Sequence, residues 1–341
     1  MTQARITPTT NGAPHARILS VGSYLPERVV TNEEIIGRIE SSDSWIRERS
    51  GIESRRFARD DETAADMAEH ASRVAIERAG LSPADIDAVL VATITHTHAT
   101  PSAASLLAHR LGSAPAAAMD LSAACAGFCY GVAMAQDLIR GGSARNVLLV
   151  GVEKLSDYTD FDDRGTAFLF GDGAGAVVIG PSDAPAISPT VWGSDGAQWD
   201  VINQSSTFPE LRHKIEAGQS DLRWPYLTMA GQTVFRWAVW AMAPIAQKAL
   251  DAAGITSADL AAFIPHQANI RIVDALAKQL ALPEHVAIAR DIRTSGNTSA
   301  ASIPLAMDHM LAEGQAPHGG LALLIGFGAG LVYAAQIVEL P

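Results

Sequence analysis

The two cysteines of this 341-residue chain, Cys125 and Cys129, lie one helical turn apart in the stretch "DLSAACAGFCYGVAMAQ". An apolar strand and a Ser/Ala turn precede Cys125, and a helix is predicted to begin there. Unpaired N–H groups and the positive dipole end of a helix lower the pKa of a thiol, so Cys125 is a candidate nucleophile. A disulfide would tie adjacent turns of one helix, and a metal clip lacks further ligands. Inert packing is the remaining alternative for Cys125 and the expected state of Cys129.

Two polar residues of the second half could serve such a nucleophile. His266 follows an apolar strand in "FIPHQANIR", and Asn297 lies in the Gly/Ser turn of "TSGNTSAAS". Taken singly, a histidine at a strand end is often a packed residue, and an asparagine in such a turn often only shapes the turn. Together, Cys, His and Asn at strand ends provide a nucleophile with two hydrogen-bonding groups.

An internal repeat shows which elements would position these residues. "AGLSPADIDAVLVAT" from Ala79 and "AGITSADLAAFIPHQ" from Ala253 share a helix end, a turn, an Asp and an apolar strand. Further helices, turns and strands follow at the same offset in both halves. Apolar strands alternating with helices predict an α/β class with two duplicated halves. We predict a flexible tail over 1–15, a half with the nucleophile over 16–181, and a half with His and Asn over 182–341, with a site between equivalent turns.

Composition argues against several classes of function. A net charge of −12 argues against a nucleic-acid-binding protein, because such proteins present a net basic face. No apolar run reaches the roughly 18 residues that cross a bilayer, so no membrane association is expected. Two cysteines are too few for a secreted disulfide framework, and the start of the chain has no signal-like apolar stretch. We therefore expect a reducing, cytoplasmic location.

Two further patterns carry little functional weight. "GDGAGA" (171–176) lacks GxGxxG spacing and precedes a strand-like stretch, so it predicts a strand–turn–strand connection and disfavours a nucleotide-dependent oxidoreductase. His96 and His98 are joined by no carboxylate or cysteine, so they indicate no metal site. No metal and no cofactor are expected.

Five motifs in order carry a family resemblance: "SAACAGF", "DRGTAFLFGDGAGAVV", "PHQANIRI", "GNTSAAS" and "GFGAG". They resemble those of the thiolase-like condensing enzymes, and most closely the β-ketoacyl-acyl carrier protein synthase III family. The resemblance covers nearly the whole chain. It implies a thiolase-like fold in five αβαβα layers, a homodimer, and a Cys-His-Asn site at Cys125, His266 and Asn297. Asparagine in the third place, with no cysteine in "GFGAG", separates the chain from elongating ketosynthases and degradative thiolases.

The reaction that the resemblance implies is a decarboxylative Claisen condensation between an acyl-CoA and malonyl-acyl carrier protein. Cys125 would take the acyl group, with N–H groups of Cys125, Gly328 and Ala329 holding the oxyanion. His266 and Asn297 would then hold the malonyl thioester carbonyl while CO2 leaves. This step begins fatty acid or polyketide synthesis. The alternatives are a polyketide-priming ketosynthase, an acyltransferase that does not decarboxylate, and a non-catalytic scaffold homologue.

The resemblance also implies where the substrates bind. One set of residues would bind the CoA nucleotide and pantetheine arm: Trp45, Arg49, Arg164, Gly231, Phe235 and Asn269. A second set would bind the acidic carrier protein: Gln267, Arg271, Arg236 and Lys278. Thr100 stands where acetyl-preferring members often have Phe, so we expect the acyl pocket to admit a longer or branched starter. No role is predicted for the weakly periodic segment from Ser194 to Arg223.

Overall fold

The computed structural model describes residues 12–341, which form fourteen strands and ten α-helices joined by short 3-10 turns. The strands are β1 (His15–Tyr24), β2 (Arg28–Thr31), β3 (Ser54–Phe57), β4 (Ala88–Ala92), β5 (Ala117–Leu121), β6 (Val147–Glu153), β7 (Gly173–Ser182), β8 (Val191–Gly193), β9 (Ile202–Gln204), β10 (Leu227–Met229), β11 (Ala262–Pro265), β12 (Ala287–Ile288), β13 (Leu321–Gly328) and β14 (Val332–Glu339). The helices are α1 (Asn32–Ile36), α2 (Asp43–Ser50), α3 (Ala64–Arg78), α4 (Ala103–Leu111), α5 (Gly127–Arg140), α6 (Phe208–Glu216), α7 (Gly231–Ala253), α8 (Ile270–Gln279), α9 (Ile292–Ser295) and α10 (Ser302–Ala312).

Two five-stranded mixed sheets repeat one topology. The first has the order β1-β7-β6-β4-β5 and the second the order β8-β14-β13-β11-β12. In the first, β4 is parallel to both neighbours and β7 is antiparallel to both of its own. In the second, β11 and β14 have the same relations. Each strand of one sheet therefore has a counterpart in the other, and the predicted duplication is confirmed.

The sheets and helices form five layers. β4, β6, β11 and β13 are continuous apolar strands, so both faces of each sheet must be covered. Helices α5 and α10 lie between the two sheets and bury apolar side chains against both. Helices α3 and α4 cover the outer face of the first sheet, and α7 and α8 cover the outer face of the second. The predicted thiolase-like αβαβα architecture is confirmed.

The predicted boundaries of the tail and of the two halves lie close to the ends of β1 and β7. Of the predicted tail, residues 1–11 lie outside the described residues. Residues 12–15 are already attached to the fold, because the Ala13 N–H donates to the Ile139 carbonyl at 3.3 Å and His15 begins β1. The first sheet ends with β7 at Ser182, one residue after the predicted division, and β8 opens the second sheet.

Local sequence signals explain the helices and strands that hold the site. Asn269 caps the start of α8 by accepting the Arg271 N–H, and glycine in the left-handed region ends α2, α4 and α7 at Gly51, Gly112 and Gly254. "GDGAGA" runs into β7, which begins within it at Gly173, so a strand and not a helix follows, as predicted. Turns and an isolated bridge at Phe170 precede it, so the predicted first strand of the connection is absent among the described residues. Over the described residues, no helix combines the length and apolar character that crossing a bilayer requires.

Candidate active site

Cys125 lies in a single 3-10 turn, Ala124–Ala126, between β5 and the start of α5. Ala124 has φ +43°, a strained conformation for a residue with a Cβ, and this turn presents the next side chain sharply. The sequence predicted a low thiol pKa from the helix start, and this expectation is wrong for the resting site. Burial raises the pKa of the Cys125 thiol to about 12, and the negative charge of Glu153 adds to that rise. Cys129 lies inside α5, fully buried, as expected for packing.

The end of β13 lies directly against the nucleophile turn. A Cβ added to Gly328 would come within 2.8 Å of the Cys125 Cβ, 2.9 Å of its backbone nitrogen and 3.0 Å of its Sγ. No side chain fits there, so only glycine allows this approach. Gly328 is followed by a turn over Ala329–Leu331, which keeps the predicted oxyanion segment beside Cys125.

His266 follows β11 and is buried. Its Nδ1 lies 2.7 Å from the Ser302 Oγ, which also accepts the Gln267 N–H at 3.3 Å. Among the described residues the Ser302 hydroxyl has no other acceptor, and Nδ1 accepts its proton in the tautomer that carries the ring proton on Nε2. Burial lowers the pKa of His266 to about 3, so the imidazole is neutral, and in this tautomer Nε2 is a hydrogen-bond donor.

Asn297 is held from both sides of its backbone. Its N–H donates to Leu169 at 2.9 Å, and its carbonyl accepts from Gly171 at 3.0 Å. Its Oδ1 accepts the Ser299 N–H at 2.9 Å. Within the described part of the chain, Nδ2 has no protein acceptor, so this geometry fixes the amide with its donor end available to a substrate.

Short contacts bring these three residues together. The Phe327 ring packs edge-on to the His266 ring at 5.4 Å, and the next residue, Gly328, contacts Cys125. The Ser299 side chain adjoins the Cys125 sulfur, and the N–H of the same residue donates to the Asn297 Oδ1 at 2.9 Å. Contacts through Phe327, Gly328 and Ser299 thus connect Cys125 with His266 and Asn297, residue types suited to acyl transfer and to stabilising an enolate.

A buried carboxylate lies behind the nucleophile turn. Glu153, the last residue of β6, is fully buried. It accepts hydrogen bonds from Thr93, Thr95, the Ile94 N–H and Ser299. Burial raises its pKa to about 7. This residue was not predicted from the sequence, although a glutamate at the end of an otherwise apolar strand is a visible signal.

The residues predicted to bind the CoA nucleotide lie around α2 and the following loops. The Arg164 guanidinium stacks over the Trp45 ring at 4.9 Å, and Trp45 packs edge-on to Phe168. The Asn269 Nδ2 donates to the Arg49 carbonyl at 3.0 Å, while its Oδ1 caps α8. Asn269 thus holds α2 against α8, and both polar ends of its side chain already have partners.

The residues predicted for the pantetheine arm and the carrier protein adjoin one another on α7 and α8. Gly231 begins α7, and the Arg271 guanidinium lies over the Phe235 ring at 5.0 Å. Arg236 and Lys278 are exposed on the same two helices.

One residue of the carrier-protein set is misplaced by the prediction. Gln267 is 1% exposed, and its side chain donates to the Pro265 carbonyl and accepts the Ile292 N–H. A docked protein cannot reach it. Its role is to brace the His266 loop against α9, so we correct that assignment.

Two other predicted features lie on loops. Thr100 is exposed in the single chain, after β4. His96 and His98 lie 5.6 Å apart between ring centres, and within residues 12–341 no group of three or more His, Cys, Asp or Glu residues could hold a metal ion.

The segment 194–223 forms a 3-10 stretch, β9 and α6, with β10 just beyond it pairing with β9. It exposes large apolar side chains, with Trp199 64% exposed. It is attached to the first half through Trp224, whose ring lies 6.4 Å from Tyr158 and 5.7 Å from Phe208.

Two further residues of the site were not predicted from the sequence. Ser299 and Ser302 stand in the quoted "GNTSAAS" motif, but only the fold shows that one faces Cys125 and the other faces His266. Hydroxyl groups in a small-residue turn carry no separate sequence signal, because serine is common in turns for local reasons.

Comparisons with known proteins agree along the whole chain. Two family models match, 3-oxoacyl-[acyl-carrier-protein] synthase III over residues 119–196 and its C-terminal part over residues 250–340. The beta-ketoacyl-[acyl-carrier-protein] synthase III of Streptomyces glaucescens is 58% identical, covering 97% of this chain and 98% of its own. The synthase III 1 of Streptomyces coelicolor is 56% identical, covering 99% and 100%.

Solved structures give the same result. The priming β-ketosynthase of the R1128 polyketide biosynthetic pathway superposes with a TM-score of 0.94 at 47% identity, covering 99% of both chains. The 3-oxoacyl-(acyl carrier protein) synthase III of Pseudomonas aeruginosa PAO1 superposes with a TM-score of 0.87 at 40% identity, covering 96% of this chain and 98% of its own.

Proposed function

The chain belongs to the β-ketoacyl-[acyl-carrier-protein] synthase III family, and from that premise we propose that Cys125, His266 and Asn297 are its catalytic residues. The enzyme is an acyltransferase that carries out the condensation initiating fatty acid synthesis. The observation that supports the residue assignment is that β13 contacts both His266 and Cys125. Phe327 packs on His266, and Gly328 contacts Cys125.

In the first half-reaction, the Cys125 thiolate attacks the thioester carbonyl of an acyl-CoA. The N–H groups of Cys125, Gly328 and Ala329 are the proposed donors to the tetrahedral oxyanion. CoA leaves, and the acyl group remains on Cys125. The close approach of Gly328 supports this assignment, because it brings backbone to the reacting sulfur without an intervening side chain.

In the second half-reaction, a malonyl thioester on acyl carrier protein replaces CoA. Nε2 of His266 and Nδ2 of Asn297 donate to its carbonyl oxygen, where charge develops as CO2 leaves. The enolate carbon then attacks the acyl-Cys125 thioester and releases the β-ketoacyl product. Both donors are neutral and held by buried partners, so the site does not reorganise as the charge forms.

Acyl-CoA and malonyl-acyl carrier protein are the proposed substrates. The Trp45–Arg164 stack is the proposed contact for the CoA nucleotide, since an indole and a guanidinium suit adenine and phosphate. The exposed cations Arg271, Arg236 and Lys278 are the proposed contacts for an acidic carrier protein. Cytoplasmic location is proposed with them, because two unpaired thiols persist best in a reducing compartment.

A homodimer is proposed through β5, the edge strand of the first sheet. Met119 on this strand is 38% exposed, and an edge with unpaired backbone groups readily pairs with a second copy. The exposed Thr100 lies one helix before this strand, and a second copy would cover its loop. Sedimentation of the protein as a monomer at micromolar concentration would contradict the proposal.

A role in priming polyketide synthesis is the second candidate. It is favoured by the likeness to the R1128 priming β-ketosynthase, with which the fold and almost the full length agree. The small side chain of Thr100 favours a longer or branched starter for either pathway. The two pathways differ in the acyl starter and the carrier protein that the enzyme accepts. Measuring condensation with a panel of acyl-CoA starters and of carrier proteins from both pathways therefore distinguishes them.

The test is intact mass of the protein after mixing with acetyl-, isobutyryl- and longer acyl-CoA. We expect one added acyl group, absent in Cys125→Ser. Release of labelled CO2 from carboxyl-labelled malonyl-acyl carrier protein then reports condensation. Acylation at another residue would overturn the assignment of Cys125, and strict preference for acetyl-CoA would overturn the role of Thr100.

A further inference from the structure

Glu153 is an acidic group that the mechanism above does not use, although it lies directly behind Cys125. It is fully buried, and within residues 12–341 no Lys, Arg or His makes an ion pair with it. The nearest cation in sequence, Lys154, directs its ammonium to the Arg59 carbonyl at 2.9 Å and to Asp157. An unpaired buried carboxylate is costly, so a role beyond packing deserves to be sought.

The two oxygens of Glu153 have different surroundings. Oε2 accepts three hydrogen bonds, from the Thr95 hydroxyl at 2.7 Å, the Ile94 N–H at 3.1 Å and the Thr93 hydroxyl at 3.2 Å. Oε1 accepts one, from the Ser299 hydroxyl at 3.2 Å. Oε2 is thus saturated with donors, and Oε1 is the oxygen that can receive a proton.

Ser299 connects this oxygen to the nucleophile. Its hydroxyl adjoins the Cys125 sulfur and donates its one proton to Glu153 Oε1, so the Ser299 Oγ can accept a hydrogen bond from the Cys125 thiol. The short turns that carry Cys125 and Ser299 pack directly on each other. The result is a continuous chain from Sγ–H through Oγ–H to Oε1.

We propose that Glu153 takes the proton of Cys125 through Ser299 when the enzyme is acylated. The thiol proton passes to the Ser299 Oγ as the Ser299 proton passes to Glu153 Oε1, leaving a thiolate and a neutral carboxylic acid. The thiolate forms a bond to the acyl carbon, and the bond from that carbon to the CoA sulfur breaks. The proton returns along the same chain to the CoA sulfur, which departs as the thiol. Glu153 ends as a carboxylate, so atoms and charge balance.

The proton transfer itself is uphill, because the pKa of the Cys125 thiol (about 12) lies above that of Glu153 (about 7), but the route creates no additional buried charge. A thiol and a carboxylate become a thiolate and a carboxylic acid, so the number of buried charges stays the same. His266 is a poorer acceptor, because the partner of its Nδ1 is the neutral hydroxyl of Ser302 and burial already disfavours the imidazolium. Because Glu153 acts through Ser299 and touches no substrate, it is a positioning residue.

The pH dependence of acylation follows from this chain. The titratable groups that sense Glu153 are Cys125 and Tyr158, and the pKa of Tyr158 is raised above its usual value by burial. Relay requires Glu153 as the carboxylate, and burial raises its pKa to about 7. Acylation should therefore be fast and level above that pH and fall as the pH drops through it.

The inference rests on the proposed role of Cys125, and the experiment separates the two. The rate of acyl-Cys125 formation is measured by quenched intact mass between pH 5.5 and 9.5 for the native enzyme, Glu153→Gln and Ser299→Ala. The amide oxygen of a glutamine at this position can still accept the three hydrogen bonds that Oε2 accepts from the Thr95 hydroxyl, the Ile94 N–H and the Thr93 hydroxyl. We expect both variants to acylate about a hundredfold more slowly at pH 7.5 and to lose the level region, with rates that keep rising with pH.

A matched control and a fold control complete the design. Asp172→Asn removes another fully buried carboxylate, held by Ser156 and the Ala58 N–H, and should keep the native pH profile. In a Cys125→Ala background, Glu153→Gln should leave CO2 release from malonyl-acyl carrier protein unchanged, because His266 and Asn297 carry that step. A general structural defect would reduce it.

The outcomes are distinct. Failure of the native enzyme to acylate at Cys125 would overturn the proposed function itself. Acylation of Glu153→Gln at the native rate, or faster, would show that Glu153 opposes the thiolate only by its charge, and would overturn the relay. A native profile without an inflection near pH 7 would overturn it as well.

Discussion

Replacing Gly328 by alanine tests the contact on which the site assignment depends. The added Cβ would lie 2.9 Å from the backbone nitrogen of Cys125 and 3.0 Å from its Sγ, whereas ordinary contacts are 3.4–4 Å. The two turns must therefore separate by at least about 0.5 Å. Overpacking of this kind costs about 1–3 kcal/mol of stability. The displaced atoms are the nucleophile and a proposed oxyanion donor, so a shift approaching 1 Å lowers the rate of acylation by about a hundredfold.

The assay for Gly328→Ala is the rate of acyl-Cys125 formation, followed by intact mass, with thermal unfolding recorded in parallel. Gly37→Ala is the matched control, because Gly37 has helical φ and no atom within 4 Å of an added Cβ. We expect the control to acylate within about twofold of the native rate, as surface changes away from such contacts are usually mild. A folded Gly328→Ala enzyme that acylates at the native rate would refute the reasoning.

Three further predictions use the same assays. Asn297→Asp replaces the proposed Nδ2 donor with a carboxylate, so CO2 release from malonyl-acyl carrier protein should fall about a hundredfold while acylation of Cys125 continues; equal loss of both steps would contradict this. Iodoacetamide should label Cys125 and spare the fully buried Cys129 until the protein unfolds, and peptide mapping that finds both labelled equally fast would contradict it. Burial lowers the pKa of His266 to about 3, below its unfolded value, so its contribution to stability is present above pH 6.5 and is lost as the pH falls toward 3. Urea unfolding should therefore show a steeper acid loss for the native enzyme than for His266→Gln, by at most about 1.4 kcal/mol per pH unit; equal slopes would contradict it.

The fold was largely predictable because its signals are long and repeated. The apolar strands from Ala88 and Ala262, each after the same helix end and turn, identify a duplication before any contact is known. Such strands need cover on both faces, which leads to layers of helix and sheet. The ends of strands were less predictable. The start of β1 at His15 depends on pairing with β7, which is distant in the sequence.

The site was predictable only where a residue type has few other uses. A cysteine at a helix start and a histidine after a buried strand stand out from their surroundings. The protonation states of the cysteine and the histidine could not be predicted from the sequence, because the burial of a side chain depends on every element packed around it. Burial raises the pKa of the Cys125 thiol, whereas the helix start predicted a lowered pKa. The prediction that Gln267 contacts the carrier protein was wrong for a related reason. It neighbours His266 in sequence, but its side chain points into the protein.

The duplication shows why one nucleophile is proposed for the enzyme and not two. The turn of Ala124 and Cys125 corresponds in the repeat to the turn of Ser299 and Ala300, and both turns have a residue at positive φ, +43° and +47°. One turn therefore presents a thiol where the other presents a methyl group. The second turn instead provides polar side chains on either side of Ala300. Ser299 adjoins the Cys125 turn, and Ser302 hydrogen-bonds His266.

The two turns are held by equivalent contacts from opposite halves. A Cβ on Gly326 of β13 would lie 3.0 Å from the Cys125 carbonyl oxygen, and one on Gly151 of β6 would lie 2.2 Å from the Ala300 carbonyl oxygen. Each strand end thus fixes the turn of the other half, and the two turns pack against each other. Different residues on equivalent backbone turns therefore give a duplicated fold a single proposed site, with the proposed nucleophile on one side and the proposed neutral donors on the other.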